Sequence, residues 1–361
     1  YKNEIIEEVP EVDAVLGTTS YGDILKAINE AMEGKHFEEF KDIDYLPEKL
    51  GKRVLTTGGH FGYLKIAEGC DKHCTYCIIP KLRGKFRSVP MERLIEQAKE
   101  MAEEGVKELI LVAQETTVYG TDIYGKKSLH VLLKELCKIK GIRWIRVLYC
   151  YPEEIYDELI QTMKEEKKIC HYLDLPIQHA SDRILKRMGR RTTQAELVAI
   201  VNKLRQEIPD IVLRTTLISG FPGETQEDHE ELMGFVDEME FDRLGVFTYS
   251  AEEDTPAATM PDQVPEEVKE ERRDEIMELQ QEISYDKGTD RIGQELLVMI
   301  EGKVADESAY IGRTYGDAPK VDGYIFVQTG ELLMTGDFAK VRVTGALEYD
   351  LIGELADEYT E

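Results

Sequence analysis

The stretch Gly69-Cys70-Asp71-Lys72-His73-Cys74-Thr75-Tyr76-Cys77 decides the interpretation of this chain, because it arranges three cysteines as C-x-x-x-C-x-x-C. It follows directly after the apolar run 63–67, which predicts a buried strand. Cysteines that only fill a protein core rarely recur at such short spacing. The array therefore predicts a metal site in the loop after the first strand of a domain.

Two metal groups suit three closely spaced thiolates, an iron–sulfur cluster and a zinc ion. Structural zinc usually takes four closed ligands, and no fourth cysteine stands nearby. His73 is the only neighbouring histidine, and Cys74 beside it already points into the site. A 4Fe–4S cluster held by three cysteines keeps one iron open for another molecule. We expect the cluster and retain zinc as the alternative.

The composition restricts the class of protein. With 361 residues, of which 42% are hydrophobic, two or three domains are expected. No apolar run approaches the roughly 18 residues that a membrane-spanning helix needs. Six cysteines, three of them clustered, are too few for a disulfide framework and predict a reducing cytoplasmic location.

The charge is strongly negative: 45 basic and 72 acidic residues give −27. Such a surface repels nucleic-acid phosphates and favours a basic partner, although solubility alone also explains it. Residues 291–361 carry 6 basic and 14 acidic side chains, a net charge of −8.

Strand and helix patterns alternate between about residues 62 and 250. Six apolar runs predict strands, at Tyr63–Ala67, Leu109–Ala113, Ile142–Leu148, His171–Leu175, Ile211–Ile218 and Arg243–Thr248. Most lack strict polar alternation, as expected of strands that are buried on both faces. Six βα units in series predict an α/β fold with a partial (βα)6 barrel, whose chemistry lies at the carboxyl ends of its strands.

The regions flanking this barrel have other patterns. A strand within 9–16, closed by Gly17, and a helix at Tyr21–Met32 cannot bury a core alone, so we expect their partners outside this chain. Residues 36–53 are predicted to be a linker. The charged segment Pro265–Lys287 predicts a connecting helix packed on the barrel. Five short runs then predict a small antiparallel β-barrel, at Leu296–Ile300, Ala309–Thr314, Tyr324–Val327, Phe338–Thr344 and Tyr349–Glu354.

The cysteine loop, with Tyr76 before its last cysteine and a partial (βα)6 barrel around it, resembles the radical SAM superfamily. The resemblance implies a 4Fe–4S cluster on Cys70, Cys74 and Cys77 that also binds S-adenosylmethionine (SAM). An electron from the cluster then cleaves SAM to a 5′-deoxyadenosyl radical, which abstracts hydrogen from the substrate. The implied electron donor is a protein such as flavodoxin or ferredoxin.

The order of domains narrows the resemblance to the radical SAM methylthiotransferases. In that family an N-terminal cluster domain precedes the radical SAM barrel, and a TRAM domain follows it. The corresponding divisions here are 1–50 for the end of the cluster domain with a linker, 51–288 for the barrel with its connecting helix, and 289–361 for the TRAM domain.

Four stretches resemble the members of the family that modify a protein: 80–84 (PKLRG), 113–117 (AQETT), 178–181 (QHAS) and 249–257 (YSAEEDTPA). These members add a methylthio group to the β-carbon of an aspartate in small-subunit ribosomal protein number twelve. The alternative is a tRNA methylthiotransferase that modifies an adenosine next to the anticodon. Such an enzyme would more often show Gly-Gln-Asn at 113–115.

The resemblance also implies contacts with SAM, while no side chain is assigned a catalytic role. Tyr76 stands where such enzymes offer backbone contacts to the adenine. Gln114 and Glu115 occupy the place of the superfamily's Gly-Gly-Glu, which binds the methionine amine. Gln178 and Arg214 are expected to contact the ribose and the carboxylate.

One feature of the family is missing from this sequence. A methylthiotransferase needs a second 4Fe–4S cluster on three cysteines of its N-terminal domain, and no cysteine precedes Cys70 here. We expect that second cluster only in the full-length protein. Cys137, Cys150 and Cys170 lie in apolar stretches and are predicted to be core residues.

The hypothesis of a basic protein substrate also predicts where that substrate docks. A basic ribosomal protein should dock on the acidic residues of the small barrel, namely Asp306, Glu307, Asp317, Asp322, Glu331 and Asp337. A hypothesis of another class is a zinc-stabilised binding module whose small barrel grips RNA, which the negative charge of that barrel disfavours.

Overall fold

The computed structural model describes residues 2–46, 54–305 and 307–356. Its first elements are α1 (Lys2–Glu8), β1 (Ala14–Leu16), α2 (Ile24–Met32) and β2 (Phe37–Glu39). Because β1 and β2 pair in parallel, the predicted linker is wrong at β2. A three-residue strand is too short to show a period in the sequence. Residues 47–53 of that linker lie outside the described residues.

The largest sheet has six parallel strands: β3 (Phe61–Lys65), β6 (Glu108–Val112), β7 (Trp144–Val147), β8 (Ile169–Asp174), β9 (Val212–Ser219) and β10 (Arg243–Thr248). They are ordered β10-β9-β8-β7-β6-β3, so the sheet stays open between β3 and β10. A two-stranded ribbon, β4 (Ala67–Glu68) with β5 (Arg87–Ser88), adjoins it. The predicted partial barrel is confirmed.

Seven helices pack in the core on the outer face of this sheet: α4 (Met91–Glu103), α6 (Leu129–Cys137), α7 (Asp157–Glu165), α8 (Asp182–Arg187), α9 (Gln194–Glu207), α10 (Gln226–Met239) and α11 (Glu266–Thr289). Two short helices, α3 (Ile79–Arg83) and α5 (Thr121–Tyr124), have no buried residues. The helix α11 is the predicted connecting helix, and its Ile276 and Ile283 lie in the main core. Among the described residues no helix is long and apolar enough to span a membrane.

Alternation along the strands gives each one an outer and an inner face. On β6, Leu109 and Leu111 pack with the helices. Ile110 points to the opposite, inner face and packs with Tyr172 of β8 and Phe338. The inner face is therefore the concave surface of the partial barrel.

Five strands close the small barrel, in the order β11-β12-β13-β15-β14. They are β11 (Glu295–Lys303), β12 (Ala309–Arg313), β13 (Ile325–Gln328), β14 (Phe338–Ala346) and β15 (Leu351–Leu355). β13 and β15 pair in parallel, and the other neighbouring pairs are antiparallel. Their bounds follow the five predicted runs closely.

The small barrel packs against the amino-terminal half of the inner face. Its Phe338 meets Trp144 edge to face, with ring centroids 4.8 Å apart. Charged side chains complete the contact: Glu108 accepts from Arg146 Nε at 2.8 Å and from Arg313 Nη2 at 2.7 Å. The carboxyl ends of the large barrel's strands therefore remain the accessible end.

This interface overturns part of the predicted docking surface. Asp317 is 2% exposed and accepts from Arg243 Nη2 at 2.5 Å. The side chain of Asp322 is 3% exposed and lies 3.3 Å from Arg214 Nε. The docking prediction is wrong for these two residues, because their charges are used between the barrels. Asp306 lies outside the described residues, whereas Glu307 and Glu331 are exposed.

Candidate cluster and cofactor site

The cysteine loop leaves the β4 strand through a glycine that no other residue could replace without distortion. Gly69 has φ +80°, and a Cβ on it would lie 2.1 Å from the carbonyl oxygen of Lys85. The next residue, Cys70, donates its N–H to Gly84 O at 3.2 Å. The loop therefore lies directly on the backbone of residues 84–85, and this contact fixes the position of Cys70.

Thr75, between the second and third cysteines, anchors the loop on two sides. Its N–H donates to Met188 O at 2.9 Å, and its hydroxyl donates to Arg187 O at 2.8 Å, both at the end of α8. Its carbonyl accepts from Ala257 N at 2.9 Å. These bonds hold the path of residues 74–77, and the sequence analysis assigned Thr75 no role.

The three cysteines of the loop are free thiols in close mutual reach. Cys70 and Cys74 are buried and Cys77 is half-buried. Burial, with a smaller contribution from the neighbouring Cys74 and Cys77, raises the pKa of Cys70 to about 11. All three thiols belong to one short loop, residues 70–77.

The kind of donor in the loop bears on which metal group it suits. Within the described ranges, no three His, Cys, Asp or Glu side chains, the loop's cysteines included, converge as ligands of a single metal ion. The remaining cysteines belong to the packed interior, as predicted: Cys150 and Cys170 are buried in two different cores. The donor set of three thiolates in one loop fits an iron–sulfur cluster.

A set of side chains beside Cys74 escaped the sequence analysis. The hydroxyl of Tyr151 lies 3.6 Å from Cys74 Sγ. The guanidinium carbon of Arg190 lies 4.3 Å from the centre of the Tyr151 ring, and Lys72 Nζ lies 5.0 Å from it. The Arg190 side chain is 1% exposed, so a buried positive charge adjoins the loop. The available signal was the position of Tyr151, shortly after the strand β7.

Glu115 lies across a cavity of about 210 Å³ from the loop, and Cys70, Lys72 and Arg191 also line that cavity. Oε1 of Glu115 accepts from Thr117 N at 2.9 Å and from the Thr117 hydroxyl. Oε2 is buried without a hydrogen-bond partner among the described residues; Lys72 Nζ is 3.9 Å away. Burial raises the pKa of Glu115 to about 7, although the hydrogen bonds from Thr117 act to lower it. Such an oxygen suits a cationic ligand group.

The neighbouring Gln114 is engaged by the loop itself. Its Oε1 accepts from Gly69 N at 2.9 Å. The amide therefore braces the residue before Cys70, a role that the sequence analysis did not assign. The predicted contact of Gln114 with SAM stays a prediction.

Two of the other predicted SAM contacts, Tyr76 and Gln178, lie around the same end of the barrel, whereas Arg214 lies early in β9. The Tyr76 ring meets Phe221 edge to face at 6.4 Å. Gln178 has φ +73°, which is uncommon outside glycine, and its carbonyl accepts from Ile218 N of β9 at 2.8 Å. Arg214 has carboxylate partners of its own, Asp174 at 2.8 Å and Asp322 at 3.3 Å. Its placement gives no support to a contact with SAM.

Comparison with known proteins agrees with this geometry. The sequence pattern of the Radical SAM superfamily matches residues 64–236, and that of the TRAM domain matches residues 292–356. The chain is 64% identical over 353 residues to the "Ribosomal protein uS12 methylthiotransferase RimO" of Lachnoclostridium phytofermentans, a match that covers 98% of this chain and 80% of the relative. The enzyme of the same name from Clostridium perfringens is 53% identical over 360 residues, covering 99% and 80%.

Among solved structures, the chain resembles the radical S-adenosylmethionine methyltransferase TsrM from Kitasatospora setae, with cobalamin and a 4Fe–4S cluster bound. The TM-score is 0.46 at 16% identity, over 55% of this chain and 38% of that one. The identity with the curated relatives extends over nearly the whole chain and includes both barrels. This chain therefore belongs to the radical SAM methylthiotransferases of the RimO family.

Proposed function

We propose that this enzyme adds a methylthio group to the β-carbon of an aspartate in ribosomal protein uS12. The cavity between Cys70 and Glu115 carries the proposal, because it sets a buried carboxylate oxygen without a hydrogen-bond partner beside three free thiols. The names of the relatives support the substrate. The net charge of −27 supports a basic protein partner, whose capture a negative surface speeds.

Each residue of the site has a distinct task in this proposal. Cys70, Cys74 and Cys77 hold a 4Fe–4S cluster, and Glu115 Oε2 accepts a hydrogen bond from the amine of SAM. When bound, the cluster supplies the electron that cleaves SAM to a radical able to take hydrogen from an unactivated carbon. Gln114 positions the loop through Gly69, and the backbone at Tyr76 receives the adenine.

The surroundings of Cys74 contribute electrostatic stabilisation. Three thiolates and a cluster carry negative charge, which a dry site does not tolerate without compensation. Arg190 and Lys72 place positive charge next to the loop, and Glu153 and Glu154 hold these two side chains in position. Tyr151 lies between both cations and the sulfur of Cys74.

The remaining parts of the proposal concern the complete system. A second 4Fe–4S cluster, on cysteines outside this sequence, supplies or carries the sulfur. A protein such as flavodoxin or ferredoxin supplies electrons, and the reaction takes place in the cytoplasm. The domain boundaries at 50/51 and 288/289 belong to the same proposal. Transfer to tRNA is the less favoured alternative, since residues 291–361 carry a net charge of −8.

The test uses uS12 with deuterium on the β-carbon of its aspartates. The anaerobically reconstituted protein is reduced with dithionite and given SAM with either the labelled uS12 or tRNA. We expect deuterium in the 5′-deoxyadenosine formed with uS12, and no stimulation by tRNA. Formation of 5′-deoxyadenosine that tRNA stimulates, without deuterium from uS12, would overturn the proposal.

A further inference from the structure

Lys65 is the last residue of β3, and alternation along that strand places it on the inner face of the large barrel. Phe61 and Tyr63 of the same strand pack on that face, whereas Leu64 packs with the outer helices. The inner face is open at this end, since the Lys65 side chain is 50% exposed and Phe247 of β10 is 63% exposed. Lys65 therefore borders the space above the strand ends, where a barrel enzyme of this type binds its substrate.

Two cations share one carboxylate beside Lys65. Lys65 Nζ donates to Oε2 of Glu68, and Arg83 Nε lies 3.9 Å from Oε1 of the same carboxylate. The third cation, Arg87, lies 3.2 Å from Asp44. Lys65 and Arg83 thus share a single carboxylate at the mouth of the barrel.

The carboxylate between them is itself poorly satisfied. Glu68 is 9% exposed, and its Oε1 has no hydrogen-bond partner among the described residues. Partial burial, followed by the positive charges of Arg83 and Arg87, lowers the pKa of Lys65. A second carboxylate entering the mouth would therefore gain from both Lys65 and Arg83.

Resting on the proposed function, we propose that Lys65, supported by Arg83, binds the carboxylate of the substrate aspartate and makes the enzyme select aspartate over neutral residues. The β-carbon of an aspartate is bonded directly to its carboxylate carbon. An anchored carboxylate therefore fixes the β-hydrogens in place, and such positioning is worth orders of magnitude in rate. An adenine base offers only neutral ring nitrogens to these cations, so the contact favours an aspartate over that base.

The test compares two uS12-derived peptides that differ only in aspartate or asparagine at the modified position. Peptide affinity is measured by fluorescence anisotropy on the reconstituted protein with SAM, for the parent, Lys65→Met, Lys65→Arg and Lys138→Met. Lys138 is a matched control because it also pairs with a glutamate three residues away, Glu135 at 2.6 Å, but on the outer helix α6. Deuterium transfer from the labelled peptides to 5′-deoxyadenosine is measured in parallel.

We expect the parent and Lys138→Met to bind the aspartate peptide at least about ten-fold more tightly than the asparagine peptide, the size of one hydrogen bond to a charged group. Lys65→Met should lose that preference while binding the asparagine peptide as the parent does, and Lys65→Arg should keep part of it. An unchanged preference in Lys65→Met overturns this inference alone. Absence of deuterium transfer from both peptides with the parent overturns the proposed function, and this inference with it.

Discussion

Two buried glutamates at opposite ends of one strand show how differently the two ends of the large barrel use charge. Glu108 begins β6 and is fully buried; Glu115 lies shortly after its carboxyl end and is 1% exposed. Burial favours the neutral form of both, yet Arg146 and Arg313 hold the pKa of Glu108 below its usual value. For Glu115, burial outweighs the hydrogen bonds from Thr117 and the charge of Lys72, and it raises the pKa to about 7.

The difference separates residues that hold the fold from residues that are left for ligands. At the amino-terminal end, the carboxylates of Glu108, Asp317 and Asp322 each have an arginine partner. At the carboxyl end, Glu115 keeps one buried oxygen without a hydrogen-bond partner among the described residues. A buried acceptor that stays unsatisfied is costly, so its persistence points to a partner that is not part of the chain.

The largest expected effect is at the cysteine loop. Cys74→Ala should remove most of the bound iron and abolish SAM cleavage, because two thiolates do not retain the cluster. Cys137→Ala should do neither, since Cys137 lies on α6 beside the main core. Iron content and 5′-deoxyadenosine formation are measured after anaerobic reconstitution. Iron retained at the parent level by the Cys74 variant would refute the ligand assignment.

The next effect concerns the amino-terminal end. Glu108→Gln leaves Arg146 buried without its carboxylate partner and leaves Arg313 with Glu301 alone, so we expect a loss of about 3–5 kcal/mol in the free energy of unfolding. The control is Glu135→Gln, which breaks an exposed pair with Lys138 and should cost less than about 1 kcal/mol. Urea unfolding measures both variants. Equal small losses would show that the interface charges do not hold the two barrels together.

The smallest effect is expected on the outer surface of the small barrel. Glu307→Lys with Glu331→Lys should change the free energy of unfolding by under about 0.5 kcal/mol, because both side chains are exposed. Asp317 and Asp322 are engaged at the interface between the barrels. We therefore expect the charge reversal of Glu307 and Glu331 to weaken uS12 binding less than about three-fold at physiological salt. If uS12 binding weakened ten-fold or more and its salt dependence became flatter, the small barrel would be the docking surface after all.

The sequence predicted the parts of this molecule that depend on local pattern. Short apolar runs identified the strands of both barrels, and the spacing of Cys70, Cys74 and Cys77 located the loop. What it could not supply depends on contacts across long stretches of chain. The pairing of Glu108 with Arg313 joins residues 205 apart, so nothing near Asp317 or Asp322 in the sequence marks them as interior.

The same limit applies within the site. Thr75, Arg190 and Tyr151 come from three separate segments and meet only when the barrel forms. Gln114 and Glu115 are adjacent in sequence and looked alike as ligand contacts. The fold gives them different partners, since Gln114 is bonded to Gly69 and Glu115 keeps one oxygen for another group.

The comparison between the two glutamates is tested most directly by measuring SAM affinity and thermal stability together for Glu115→Gln. The glutamine oxygen can keep the hydrogen bonds from Thr117. The change also removes a buried carboxylate with a raised pKa, and ionisation of that carboxylate lowers the stability of the parent as the pH rises from about 4.5 to about 7. We therefore predict a Tm at pH 7 equal to or above that of the parent, and SAM affinity at least about ten-fold weaker. Unchanged SAM affinity with a lower Tm would contradict the account, because Glu115 would then be a structural residue like Glu108.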